Sequence, residues 1–305
     1  MSSFQQSVHW QHFQESIGRT TISDSGDGWK YLAVVEKGRL GSRLYVPYGP
    51  IATSATALAH ALASLTAAAK DMPVSFIRFE PDGPFSPSDI AALGARRVAR
   101  VQPEFTSIVD VTPDEAAIIA AMSPSNRNLH RTYAKKGIQL HTTTDPASVS
   151  KLTTLLHEVA SHTGMHAHSD SYLSSQATTF FTEHCGQLYY AQYQGSVIAA
   201  ALAYDYDGVR TYAHAAADYE HRKLAAGTVL VSQMILDAKR AGMRAVDLYG
   251  IWPNAKPGTP HYGITKFKRS FGGNDVAHNG TWEVPTKPLS YAAYRAATLI
   301  AKKRV

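Results

Sequence analysis

The spacing of apolar and polar positions changes period several times along the chain, and the changes outline its elements. Short apolar runs around glycine turns, YLAVVEKGRLGSRLYVPYGP and LYYAQYQGSVIAAALAYDYDGVRTYAHAAA, read as strands bent near Gly38 and Gly41, and near Gly195 and Gly208. Each run leads into a helix, an Ala-rich one at about 52–70 and a second at about 222–241. A buried strand follows in both cases, VSFIRFEP at 74–81 and AVDLYG at 245–250. A meander, a helix and a further strand thus occur twice, which predicts an α+β unit used in duplicate.

Between the copies, SPSDIAALGARRVARVQ predicts a capped helix running into a strand. FTSIVDVTPDEAAIIAAM predicts a strand, a turn at Thr112–Pro113 and a helix. The boundary is expected near 103–108. After Gly280 comes a strand and an amphipathic helix ending in Lys302, Lys303 and Arg304, expected to return to the first unit. The predicted domains are 1–104 plus 281–305, and 105–280. No heptads or low-complexity stretches interrupt them.

Composition narrows the class. A chain of 305 residues with 44% hydrophobic and 18% charged residues has the balance of a globular protein. The formal charge of +6 suits an anionic partner without being histone-like. One cysteine, Cys185, excludes a disulfide framework or a Cys-rich zinc site and fits a reducing compartment. Residues 51–69 carry no charge, but Ala, Ser and Thr around His60 are too weakly apolar for a membrane span. The opening residues lack a basic-then-apolar leader, so a cytoplasmic location is expected.

Four stretches carry candidate chemistry. In YEHRKLAAGTVLVSQM, a strand feeds a basic turn and a helix start, a natural anion cradle, or else an ordinary strand-to-helix turn. Its Arg222-x-x-Ala225-x-Gly227 layout resembles the pyrophosphate loop of GCN5-related acetyltransferases, with alanine replacing one glycine. That extra Cβ argues against coenzyme A. GITKFKRSFGG, read as extended, puts Lys266 and Lys268 on one face and Phe267, Arg269 and Phe271 on the other. Such a lysine is either a fixed cation in a cleft or an edge-strand guard. Arg127, Arg131 and Lys135 fall at four-residue intervals, a helical row suited to RNA or simply a solvated face. His157, Glu158 and His162 miss the helical zinc spacing by one residue, and His162, His166 and His168 sit in a loop without cysteine, so no metal is expected.

In order and spacing these pieces resemble the FemXAB peptidoglycan-branching family. The resemblance includes Trp10 to Glu15, Tyr48-Gly49-Pro50 and Arg78-Phe79-Glu80-Pro81. It continues through Ser107 to Val111, Tyr212-Ala213-His214-Ala215, Asp247-Leu248-Tyr249-Gly250-Ile251, and Phe267 to Gly273. It implies two tandem acetyltransferase-like domains, mixed sheets with flanking helices and no coiled-coil arm. It also implies transfer of an amino acid from aminoacyl-tRNA to the stem-peptide amine of lipid II or UDP-MurNAc-pentapeptide, without a cofactor. The first domain would bind precursor, the second would catalyse, and a peripheral contact with the inner membrane face is compatible.

By the same resemblance Lys268 and Phe267 are the catalytic pair, and His12, Glu80, His168, Tyr172, Tyr212 and His214 contact substrate. Arg127, Arg131 and Lys135 would track the tRNA. His12, His168 and His214 stand where relatives carry lysine, arginine and tyrosine, so precursor recognition is expected to differ. Glu80 and Asp247 are the candidate bases, and Cys185 has no partner placed to make it an acyl carrier. The competing readings are an acyl-CoA-dependent N-acyltransferase of the same fold and a non-enzymatic RNA-binding module.

Overall fold

The computed structural model describes residues 3–38, 41–164 and 167–302. They fall into two compact units, one holding Phe105–Ala277, the other lying within Ser2–Glu104 and His278–Val305.

The chain enters with α1 (Val8–Ser16), capped by the Ser7 hydroxyl on the Trp10 N–H. Then come β1 (Thr21–Gly26), β2 (Trp29–Gly38), β3 (Gly41–Val46), β4 (Ile51–Ala52), α2 (Ala55–Lys70) and β5 (Val74–Phe79). The short α3 (Pro87–Ala92) starts in a capping box of Ser86 and Asp89 and leads to β6 (Arg96–Arg97). The uncharged run at 51–69 is mostly α2. Its Leu58, Ala61, Leu62, Leu65 and Ala69 are buried at helical spacing against the sheet. Among the described residues no helix is long and apolar enough to cross a membrane.

The second unit opens with β7 (Phe105–Asp110), α4 (Glu115–Ala121), α5 (Pro124–Thr132) and β8 (Ile138–Thr143). Two helices, α6 (Ser150–Thr163) and α7 (Asp170–Thr182), precede β9 (Gly186–Tyr193), β10 (Ser196–Tyr206) and β11 (Val209–Ala217). The unit closes with α8 (Ala226–Arg240), β12 (Ala245–Gly250), α9 (Tyr262–Arg269) and β13 (Asn274–Ala277). Its sheet runs β13-β7-β12-β11-β10-β9-β8. Only β11 and β12 are parallel, joined by α8, whose Val229, Leu230, Val231, Met234 and Ile235 form the core with the alanines of β10.

The chain then returns to the first unit as β14 (Trp282–Pro285) and α10 (Pro288–Lys302). That sheet runs β1-β2-β3-β5-β14-β6, with β4 against β2 and a parallel pair, β3 and β5, joined by α2. The tandem plan is therefore present: a hairpin, a crossover helix and a parallel strand recur as β2-β3-α2-β5 and β10-β11-α8-β12. The helix α10 is held by Tyr291 donating to Glu283 at 2.8 Å and by Arg78 donating to the Tyr294 hydroxyl at 2.9 Å.

Candidate functional site

The crossover in the second unit creates an opening. β11 pairs with β12 only from Val209 to Thr211 against Ala245 to Asp247, and then the strands part while β11 continues to Ala217. Beside the parting lies a cleft of about 430 Å3, lined by Tyr212, Asp218, Tyr219, Arg222, Ala225, Gly227 and Phe267 among others. One short turn, Arg222–Leu224, precedes Ala225, which sits in the left-handed region at φ 51°, ψ 40°. The helix α8 then starts with no side-chain cap, so its first N–H groups and positive dipole end are left to the cleft. The Arg222 guanidinium lies 4.1 Å over the Tyr219 ring and donates to the Tyr219 carbonyl at 2.9 Å. The turn suits an anion. A Cβ on Gly227 would meet only that of Ala217, at 4.0 Å, and Ala225 is one of several alanines lining the cleft.

A single extra residue then divides the site between two faces. Ala203 pairs with Tyr212 and the adjacent Leu202 pairs with His214, which leaves Ala213 as a bulge. Tyr212 packs into the core under α8, whereas the His214 ring reaches Gln176 of α7, Nε2 to Oε1 at 3.0 Å. There it meets His168 edge-on at 5.5 Å, and His168 stacks on Tyr172 at 4.4 Å. The structure thus joins His168, Tyr172 and His214 and separates Tyr212 from them. Burial pushes the His214 imidazole down to about 3, with the neighbouring His168 adding to the effect, so it is neutral at physiological pH.

The extended reading of 263–273 is corrected by the structure. Residues Tyr262–Arg269 form α9, and Lys266 and Lys268 lie on opposite sides of it, the first exposed and the second 5% exposed. The period-2 look of KFKRSF hides a helical spacing, with Thr265 and Lys268 buried three residues apart and Phe271 buried three further on. The Lys268 ammonium donates to the Gly250 carbonyl at 2.8 Å, at the end of β12. Desolvation pulls its pKa down to about 8, partly offset by the charge of Asp247. Phe267 turns toward the cleft and meets Phe271 edge-on at 5.1 Å.

The basic row is corrected as well. The helix α5 ends at Thr132, and Lys135 lies in a separate short turn, Ala134–Lys136. Arg127 donates to the carbonyls of Ala120 at 3.0 Å and Met122 at 2.7 Å, so it closes the C-terminus of α4. Arg131 and Lys135 are exposed.

In the first unit His12 is on the exposed side of α1. Glu80, 4% exposed, accepts from the Tyr45 hydroxyl at 2.9 Å, the Gln102 N–H at 2.9 Å, the Thr281 hydroxyl at 2.8 Å and the Tyr48 N–H at 3.3 Å. Burial raises its pKa. A base or substrate contact there would have to break these bonds; the carboxylate ties loops together instead. Burial likewise pushes the Cys185 thiol up to about 12, unsuited to carry an acyl group. His157 bonds Asp170 at 2.7 Å, and His166 lies outside the described residues. Sequence reasoning missed Gln176, although it lies four residues beyond Tyr172 on the same helix, and missed the bulge at Ala213, which has no signature of its own.

Residues 182–299 match the FemAB family. The FemX crystal structure superposes with a TM-score of 0.83 at 14% identity, covering 95% of this chain and 94% of FemX. The family match covers the C-terminal part of the chain, and the likeness to FemX is one of fold. L-PGS from Bacillus licheniformis is similar at a TM-score of 0.58, 12% identity and 99% and 98% coverage. A tandem GNAT protein from the clavulanic acid biosynthesis pathway follows at 0.53, 16% identity and 88% and 83% coverage. These likenesses establish the tandem acetyltransferase-like fold. None of the curated proteins matches in sequence. The FemAB segment contains Tyr212, His214, Phe267 and Lys268; His12, Glu80, Arg127, Arg131, Lys135, His168 and Tyr172 lie outside it.

Proposed function

We propose that the protein is an aminoacyltransferase, moving an amino acid from aminoacyl-tRNA to the stem-peptide amine of a peptidoglycan precursor. The carrying observation is Lys268. A lysine is buried at the end of β12, where that strand has parted from β11, inside the segment that matches the FemAB family. Burying a cation is costly without a use for its charge.

The donor ester is already activated, so no covalent nucleophile is needed. The anion-suited turn at Arg222–Gly227 holds terminal phosphates of the tRNA, and the opening beside β11 takes the ester. The precursor amine attacks the ester carbonyl and a C–N bond forms. The carbonyl oxygen becomes an oxyanion, stabilised by the Lys268 ammonium. As the intermediate collapses, the C–O bond to the ribose breaks, the ribose oxygen takes a proton, and the amine releases one to solvent. His168, Tyr172 and neutral His214 offer the acceptor stacked rings and a hydrogen bond instead of cations, which favours its sugar or peptide over its phosphates. His12 of the first unit would contact precursor, and Arg131 and Lys135 of the second the tRNA backbone.

Mass spectrometry of a reaction with purified charged tRNAs and a muramyl-pentapeptide precursor tests this. The expected product is precursor heavier by one aminoacyl residue. Acyl transfer from acetyl-CoA, with none from any charged tRNA, would replace this reading by the acyl-CoA enzyme. Binding of tRNA irrespective of charging, with no product from either donor, would leave the RNA-binding module.

A further inference from the structure

The strand that presents the Gly250 carbonyl to Lys268 is not regular. Asp247 pairs with Ile108, but Gly250 pairs with Thr106, so β12 spends three steps where β7 spends two. The surplus is absorbed at Tyr249, whose φ of 63° lies in the left-handed region. A tyrosine there costs on the order of 1 kcal/mol or more unless something holds it. Its N–H is held by a carboxylate. Asp247 Oδ1 accepts the Tyr249 N–H two residues on, at 2.7 Å, and also the hydroxyl of Thr106, which is 1% exposed. Beyond the kink the chain is pinned again by the Ile251 N–H on the Phe105 carbonyl at 2.9 Å. The Trp252 N–H on the Thr265 hydroxyl at 3.0 Å ties it to α9 itself.

We infer that Asp247 is the positioning residue of the site: it locks the kink at Tyr249 that turns the Gly250 carbonyl toward Lys268, and it is the anion that keeps that ammonium charged. This rests on the proposed role of Lys268 in acyl transfer. Burial raises the Asp247 pKa, and the bonds from Thr106 and Tyr249 to Oδ1 together with the Lys268 charge oppose that rise. Two functions share one side chain and separate by substitution. Asp247→Asn keeps an oxygen for both donors and removes the charge; Asp247→Ala removes both.

The test reads Lys268 directly, by NMR titration of protein carrying 13Cε-labelled lysine, beside single-turnover rates with charged tRNA and precursor. The Lys268 resonance is assigned by its loss in Lys268→Met. The parent midpoint is expected near 8, from the balance of burial and Asp247. In Asp247→Asn it moves lower, and the alkaline limb of the rate profile moves with it, while the melting temperature and precursor KM hold. In Asp247→Ala the saturated rate falls by about 10²-fold, the scale of losing an aligned donor. An Asp247→Asn protein with the parental midpoint overturns the inference, as does an Asp247→Ala protein with the parental rate. If the midpoint moves but neither protein transfers an aminoacyl group, Asp247 still sets the state of Lys268, and the reading of the site as an aminoacyltransferase fails instead.

Discussion

His214 makes acid sensitivity a test of whether its imidazole is buried and neutral. Its imidazole is neutral in the fold and titrates only near 3, against 6.5 for the free group. As pH falls below 6.5 the unfolded chain takes up a proton that the folded chain refuses, so stability is lost through the window from 6.5 down to 3. Each unit is worth about 1.4 kcal/mol, so lowering the pH from 6.5 to 4 costs the parent about 3 kcal/mol at this residue. His278, in the other unit, is also pushed down, to about 4, so whole-chain unfolding mixes two sources. Amide hydrogen exchange of peptides from β10 and β11 isolates the relevant unit. The perturbation is His214→Gln, which keeps a donor for Gln176 and cannot titrate. At pH 7 the two proteins should protect these peptides similarly; at pH 4 the variant should be the better protected, by about 10²-fold in exchange rate. Equal loss of protection in both would refute a buried neutral imidazole at this position.

Lys268→Met should lower the single-turnover rate at saturation by about 10²–10³-fold with both substrates still bound, and Lys268→Arg should rescue poorly because a planar guanidinium does not fit a site 5% exposed. Weakened precursor affinity with an unchanged rate would make the lysine a binding group. Arg131→Ala and Lys135→Ala should each flatten the salt dependence of tRNA binding by about 0.7–0.9 in log–log slope, whereas Arg127→Ala should leave the slope alone and lower stability by about 1 kcal/mol. A slope that responds to Arg127 alone would reverse that assignment. Ala225→Gly should raise stability by about 1 kcal/mol, since glycine tolerates φ 51°, and should open the cleft to coenzyme A. A clear thermal shift with coenzyme A in the parent would show that the methyl is no barrier.

The repeated architecture was legible because it rests on long-period features: strand runs flanked by glycine and two helices with buried faces. The 222–250 stretch reveals its helix and following strand because a basic turn before an apolar helix is a local signal, although the helix begins at Ala226 after a separate turn at Arg222–Leu224. The 263–273 stretch misleads because alternation over six residues fits a strand as well as a helix, and the buried hold of Lys268 on Gly250 is invisible in spacing. The basic row failed for another reason. Spacing places Arg127 on a face but cannot reveal that two carbonyls at the end of α4 already hold it. Glu80 shows the same limit, because its four donors come from residues as distant as Tyr45 and Thr281.

The bulge at Ala213 decouples two positions of one strand. One inserted residue lets a single strand serve two surfaces, with Tyr212 committed to one and His214 to the other. Substitutions at 212 and at 214 then act on different surfaces of the sheet, so one position can change without disturbing the other. Deleting the insertion would reverse which side chains face which way.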